Sequence, residues 1–174
     1  TDFPAVESDT LSPPVSMGAE TLKSLLDLTA FAMAQQDVRY FLNGMLLEES
    51  EGQLRSVATD GHRLALNQVA LSAQRDDGIG QVIVPRKGVI EMQRLLSDSP
   101  DDVEVSVSSS HLCLSSGPFV LTTKLVDGRF PDYQRVIPKD GDKIILADKL
   151  ELKRALNRTS ILSNEKFRGV RVQF

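Results

Sequence analysis

The sequence predicts an α+β fold in which two helices pack on antiparallel sheets, with part of that plan repeated along the chain. Two segments carry apolar residues at helical spacing, Leu22, Leu25, Leu26, Thr29 and Met33 in one and Val89, Met92, Leu95 and Leu96 in the other. Between and after them the apolar period changes to two, with turn residues as punctuation. A helix-to-strand stretch near the C-terminus also repeats one near the start, as tandem copies of a fold would.

Residues 1–16, with Pro4, Pro13 and Pro14, read as a linker feeding a short strand. The first helix is expected from Ala19 to Ala34. Leu42 to Glu48 and Leu54 to Ala58 are apolar runs, and the second leads into Thr59-Asp60-Gly61. Asp-Gly between apolar runs signals a hairpin, so His62 to Leu71 reads as the return strand. Asp76-Asp77-Gly78 opens the next loop, Val82-Ile83-Val84 is a strand, and Pro85 ends it and starts a second helix from Arg86 to Leu96. Val103, Val105 and Val107 then alternate with polar residues, as do Leu112 and Leu114, and Phe119, Leu121 and Thr123. These are expected to be antiparallel strands with one buried face.

The pattern breaks at Phe130-Pro131-Asp132-Tyr133, and Ile137 to Gly141 reads as a connector. A strand from Lys143 to Leu146 and a third helix are expected next. Asp148 with Glu151 makes an aspartate version of the capping box, and Leu152, Leu156, Thr159 and Leu162 supply a stripe expected to be buried. This helix repeats the first: Leu22-Lys23-Ser24-Leu25-Leu26-Asp27-Leu28-Thr29 aligns with Leu152-Lys153-Arg154-Ala155-Leu156-Asn157-Arg158-Thr159, 152 − 22 = 130 residues on. Each leads to a glycine-containing strand candidate, Asn43-Gly44-Met45-Leu46-Leu47 and Arg168-Gly169-Val170-Arg171-Val172. A second copy of this length cannot bury a core of its own.

The bulk properties bound the function. The chain has 174 residues, a net charge of −4 and 25% charged residues, so any affinity for nucleic acid must come from local positive charge. Its apolar runs are too short to span a bilayer, and Thr1-Asp2-Phe3-Pro4 lacks the basic start and apolar core of a signal peptide. The first residue is not Met, and a fragment or a processed chain is expected. The single cysteine, Cys113, fits a reducing, cytoplasmic setting and reads as a strand residue. An enzyme would have to use Asp60, His62, Asp127 and Asp132. Only His62 and His111 are histidines, however, and neither a spaced ligand set nor a phosphate loop nor a nucleophile motif is present. Asp60 and Asp127 each precede a glycine, which turn formation explains. No catalytic residue, metal or cofactor is expected.

Five stretches resemble the β sliding clamp family, the β subunits of bacterial DNA polymerase III, in family order and at family spacing. They are Gln36 to Leu46, Val57 to Ala65, Val82 to Val89, Lys124 to Tyr133, and Ile161 to Arg171. The resemblance implies a DNA-clamp fold, with a middle clamp domain at 1–132, a connector at 133–142 and the incomplete start of a third clamp domain at 143–174. It implies a homodimeric ring around duplex DNA that performs no chemistry and tethers the replicative polymerase. Weak, sequence-independent phosphate contact suits sliding, which accommodates the acidic net charge.

The resemblance also assigns residues. Leu42, Thr59, Gly61, His62, Arg63, Leu64, Pro131, Arg135 and Val136 match a groove that takes short apolar peptides from DNA polymerases, the clamp loader and repair proteins. Leu42, Leu64, Pro131 and Val136 can offer apolar area, and Arg63 and Arg135 can rim it. The alternative is that Asp60-Gly61 is only a turn and that Leu42 and Leu64 are core. Gln36, Tyr40, Phe41, Arg86 and Lys87 match positions facing DNA, and packing under a loop is the alternative for Tyr40 and Phe41. Ile161 and Leu162 match the dimer interface; the alternative is the buried end of the third helix, and the two readings are compatible. A peptide-binding module without a DNA role is the alternative for the whole chain.

Overall fold

In the computed structural model residues 10–72, 78–99, 101–139, 141–164 and 169–173 are described, and the chain divides into two units, Thr1–Pro131 and Asp132–Phe174. The first unit runs β1 (Val15–Gly18), α1 (Ala19–Ala30), a 3₁₀ turn (Tyr40–Leu42), β2 (Gly44–Ser50), β3 (Gln53–Thr59), β4 (Leu64–Ala70), β5 (Gln81–Pro85), α2 (Arg86–Ser97), β6 (Asp102–Val107), β7 (His111–Ser116) and β8 (Phe119–Lys124).

The strands form two four-stranded sheets, ordered β1-β6-β7-β8 and β4-β3-β2-β5, with every neighbour antiparallel. Leu22, Leu25 and Leu26 of α1, Val89, Met92 and Leu96 of α2, Met45 and Leu47 of β2, and Val103, Val105, Leu112 and Leu114 of the other sheet meet in one buried core. The strand period of two selects which residues reach it. On β2, Met45 and Leu47 join that core while Leu46 and Glu48 lie on the opposite pleat.

That opposite face carries a polar row across the whole sheet. Gln68, Arg55, Glu48 and Gln81 are register partners on β4, β3, β2 and β5. Arg55 Nε donates to Gln68 Oε1 at 3.1 Å and its Nη1 to Glu48 Oε2 at 3.4 Å, while Gln81 Nε2 donates to Glu48 Oε1 at 2.5 Å. The nearly buried Glu48 carboxylate is thereby paired, as burial requires. Inside the core, Ser56 Oγ donates to Leu25 O at 2.7 Å and Thr29 Oγ1 to Ser56 Oγ at 3.0 Å, fastening α1 to β3.

The structure revises several expectations in this unit. Helix α1 ends at Ala30, not Ala34, because Ala32 and Met33 donate to Thr29 and Ala30, three residues back, and tighten the chain into turns. Met33 is still buried, so the apolar period outlives the helix. The return strand starts at Leu64, leaving His62 in the loop. Phe119 is not on a buried face but 62% exposed, at the start of edge strand β8.

The second unit holds a 3₁₀ turn (Tyr133–Arg135) and α3 (Lys149–Ser160). Asp148 caps α3: its Oδ1 accepts from the amides of Leu150 and Glu151, both at 2.9 Å. The expected strand from Lys143 to Leu146 is absent, since an extended segment becomes a strand only on pairing and no strand pairs with it among the described residues. The stripe of Leu152, Leu156, Thr159 and Leu162 is not buried; no residue of α3 is. Residues 169–173 form no strand, and Arg168 lies outside the described residues. Among the described residues no helix is long and apolar enough to cross a membrane.

Candidate peptide-binding turn and nucleic-acid contacts

The β3–β4 hairpin closes at the pair Thr59 and Leu64, and residues 60–63 make its loop. Asp60 builds that loop locally. Its Oδ1 accepts from the amides of His62 at 2.9 Å and Arg63 at 3.0 Å, and its Oδ2 from Arg63 Nε at 3.2 Å. Thr59 Oγ1 accepts from Gly61 N at 3.1 Å and donates to Arg63 O at 2.7 Å. Burial raises the Asp60 carboxyl, but the amides of His62 and Arg63 and the Arg63 charge outweigh it and hold the group below its ordinary value. The aspartate therefore acts as an ionised acceptor that folds the loop.

A second ring of contacts comes from residues 31–43. Arg63 Nη2 donates to Phe31 O at 2.8 Å, and its guanidinium carbon lies 5.4 Å from the centre of the Phe31 ring. Arg39 makes a forked bond to Asp37, Nε to Oδ1 at 3.0 Å and Nη2 to Oδ2 at 2.9 Å, and Nη2 also reaches Asp60 O at 3.4 Å. The side-chain bond from Arg39, then its amide, lowers the Asp37 carboxyl to about 2. Asp37 is tied to the start of β2 as well: its amide donates to Asn43 Oδ1 at 2.9 Å, and Asn43 Nδ2 donates to Asp37 O at 2.8 Å. Gly61, at φ +87°, lies against the Arg39 guanidinium; a Cβ there would stand 3.1 Å from both Arg39 Nη atoms.

Thr59, Gly61, His62, Arg63 and Leu64 thus share one hairpin end. Leu42 is 2% exposed, so its side chain is packed rather than presented. Pro131 is exposed at the end of the first unit. Arg135 and Val136 belong to the second unit, where both are exposed and Arg135 Nε pairs with Asp132 Oδ2 at 2.7 Å.

Residues 16–132 match the family model for the DNA polymerase III beta subunit, central domain, and residues 134–174 that for its C-terminal domain. The chain belongs to the DNA polymerase III β subunit family. It is 52% identical over 172 residues to the beta sliding clamp of Pseudomonas aeruginosa, covering 99% of this chain and 47% of that relative. It spans about half the length of the relatives it matches. The crystal structure of the DNA polymerase sliding clamp from Pseudomonas aeruginosa with ligand superposes with a TM-score of 0.90 at 51% identity, over 95% of this chain and 45% of that one. A structure of the same organism's clamp bound to griselimycin gives a TM-score of 0.89 at 51% identity, over the same shares.

The residues that the resemblance matches to DNA-facing positions fall in two stretches that meet at the backbone. Arg86 N, opening α2, donates to Asn43 O at 2.9 Å, just after the turn that carries Tyr40 and Phe41. The two rings stack edge to face with centroids 5.8 Å apart. Tyr40 and Lys87 are exposed, Phe41 and Arg86 half-buried, and Gln36 is exposed at φ 55°. No acidic residue sits in the first turn of α2, so its N-terminal amides and the two basic side chains act with one sign. Ile161 and Leu162 are 79% and 92% exposed, which corrects the reading of them as a buried helix end.

Sequence reasoning missed Phe31, Asp37, Arg39 and Asn43 as parts of the hairpin end. Asp37-x-Arg39 was a readable local pair. The reach of Arg63 to Phe31, 32 residues away, has no signal in one sequence.

Proposed function

We propose that this chain is the middle clamp domain, residues 1–132, a connector at 133–142 and the opening of the third domain, residues 143–174, of a sliding-clamp processivity factor. The intact ring, a homodimer in the cytoplasm, encircles duplex DNA without catalysing a reaction and tethers the replicative polymerase, clamp loader and repair proteins through short apolar peptides. The observation that carries this reading is the match of central and C-terminal β-subunit models, in order, over nearly the whole chain. The ordered 60–63 loop supports a peptide site at Thr59, Gly61, His62, Arg63 and Leu64; the family resemblance alone adds Leu42, Pro131, Arg135 and Val136. Gln36, Tyr40, Phe41, Arg86 and Lys87 would touch phosphates, and Ile161 and Leu162 would face the second protomer.

The test is a fluorescence titration with a labelled peptide bearing a glutamine followed by leucine and phenylalanine anchors. Binding by the parent chain, lost in folded Arg63→Ala and Leu64→Ala variants, supports the reading. A folded parent chain, and one extended through the third domain, that both ignore the peptide would sink the groove assignment.

A further inference from the structure

The hairpin end is braced by a residue whose carboxylate is bonded to Arg39 and which feels the loop directly only through the charge of His62. Asp37 lies outside the 60–63 loop, and both its carboxylate oxygens are engaged by Arg39. Arg39 then reaches Asp60 O at 3.4 Å with its guanidinium against Gly61. An arginine on a flexible stem holds such a pose only if its fork is fixed from behind, and Asp37 supplies that bidentate anchor. Asp37 in turn is fixed by the reciprocal pair of bonds between its backbone and the Asn43 side chain.

We propose that Asp37 is a positioning residue for the peptide site: it orients Arg39, which braces the Asp60-Gly61 backbone of a loop whose Gly61 and His62 amides are bound to Thr59 Oγ1 and Asp60 Oδ1. This rests on the groove reading above and adds the element that preorganises it. Asp37 acts through Arg39 and touches no peptide.

The experiment uses the 174-residue chain, labelled with ¹⁵N, as parent and as Asp37→Asn, Arg39→Gln and Arg39→Lys variants. Gly61 and His62 amide resonances are recorded without peptide, and the labelled leucine–phenylalanine peptide is then titrated. Asp37→Asn is expected to shift or broaden those amides while leaving core amides unchanged and the melting temperature only modestly lowered, and to weaken binding roughly tenfold, the size of one lost charge-assisted bond. Arg39→Gln should match it, and Arg39→Lys, which keeps the charge but loses the fork, should fall between. If Asp37→Asn leaves the Gly61 and His62 amides and the affinity at parent values while the parent binds, the proposal is overturned and the groove reading stands. If Arg39→Gln alone loses affinity, Arg39 meets peptide directly and Asp37 positions nothing. If the parent binds no peptide, the same measurements are made in a chain extended through the third domain, and silence there too ends the groove reading and the positioning role with it, whatever the amides do. Melting temperatures lowered alike in all variants, with shifts throughout the spectrum, would reduce Asp37 to general stability and likewise overturn it.

Discussion

The guanidinium of Arg63 lies over the ring of Phe31, 5.4 Å from its centre, and donates to that residue's own carbonyl at 2.8 Å. One arginine thus grips the side chain and the backbone of a residue just past the end of α1, joining the hairpin loop to the helix. The half of the grip that depends on the ring is separable, since the carbonyl survives any substitution.

Phe31→Ala should therefore cost ~0.5–1 kcal/mol, the scale of an exposed cation–π contact. A urea-denaturation double-mutant cycle with Arg63→Ala would measure the coupling. Coupling indistinguishable from zero would mean that the two side chains are merely adjacent.

Acid should loosen this end of the molecule first. Asp37 is lowered to about 2 and Asp60 also lies below its ordinary value. For a carboxyl whose folded pKa is depressed, stability is present above the unfolded value of ~3.9 and is lost as pH falls through the folded value. Urea midpoints should decline as pH goes from ~4 toward 2. Asp60→Asn, whose amide oxygen can still accept from the loop amides, should make that decline shallower. An acid limb equally steep in Asp60→Asn and parent would show that other carboxylates govern it.

Two turn-adjacent positions should respond with opposite sign. A Cβ on Gly44 would stand 2.6 Å from Val84 O, a backbone atom of the paired strand β5, so Gly44→Ala must push β2 from β5 and cost ~1–3 kcal/mol. Glu51 and Gly52 close the β2–β3 hairpin at φ 55° and 72°, the mirror-image turn in which Asn-Gly is favoured. Glu51→Asn should stabilise by ~0.5–1 kcal/mol. The exposed Glu51 pairs with Arg55 only at 3.8 Å, so little is lost. Chemical denaturation of both variants checks the signs.

Periodicity made most of the first unit legible: the buried stripes of α1 and α2, the alternating valines of β6 and the Asp-Gly hairpin all come from side-chain spacing acting over a few residues. The misreadings arise where burial and local pattern part company. Met33 continues the apolar period beyond a helix that has already tightened into turns. Phe119 alternates correctly but heads an edge strand. Lys143 to Leu146 has strand composition, and composition supplies no pairing partner. At the candidate site the hairpin loop was readable from Asp60-Gly61, whereas Phe31 and Arg39 approach it from another segment, through contacts that no window of sequence contains.

The row of Gln68, Arg55, Glu48 and Gln81 acts as a check on strand alignment. Its four members meet in only one mutual offset of β4, β3, β2 and β5. Sliding any strand by a single residue inverts its faces. For β2 that would carry the Glu48 charge toward the leucine core, and a slip in one of the two directions would also set Leu47 opposite Arg55. Misaligned hairpins would thus be penalised once the helices pack over the sheet, so the four side chains act as a key that admits one arrangement of this sheet and rejects its neighbours.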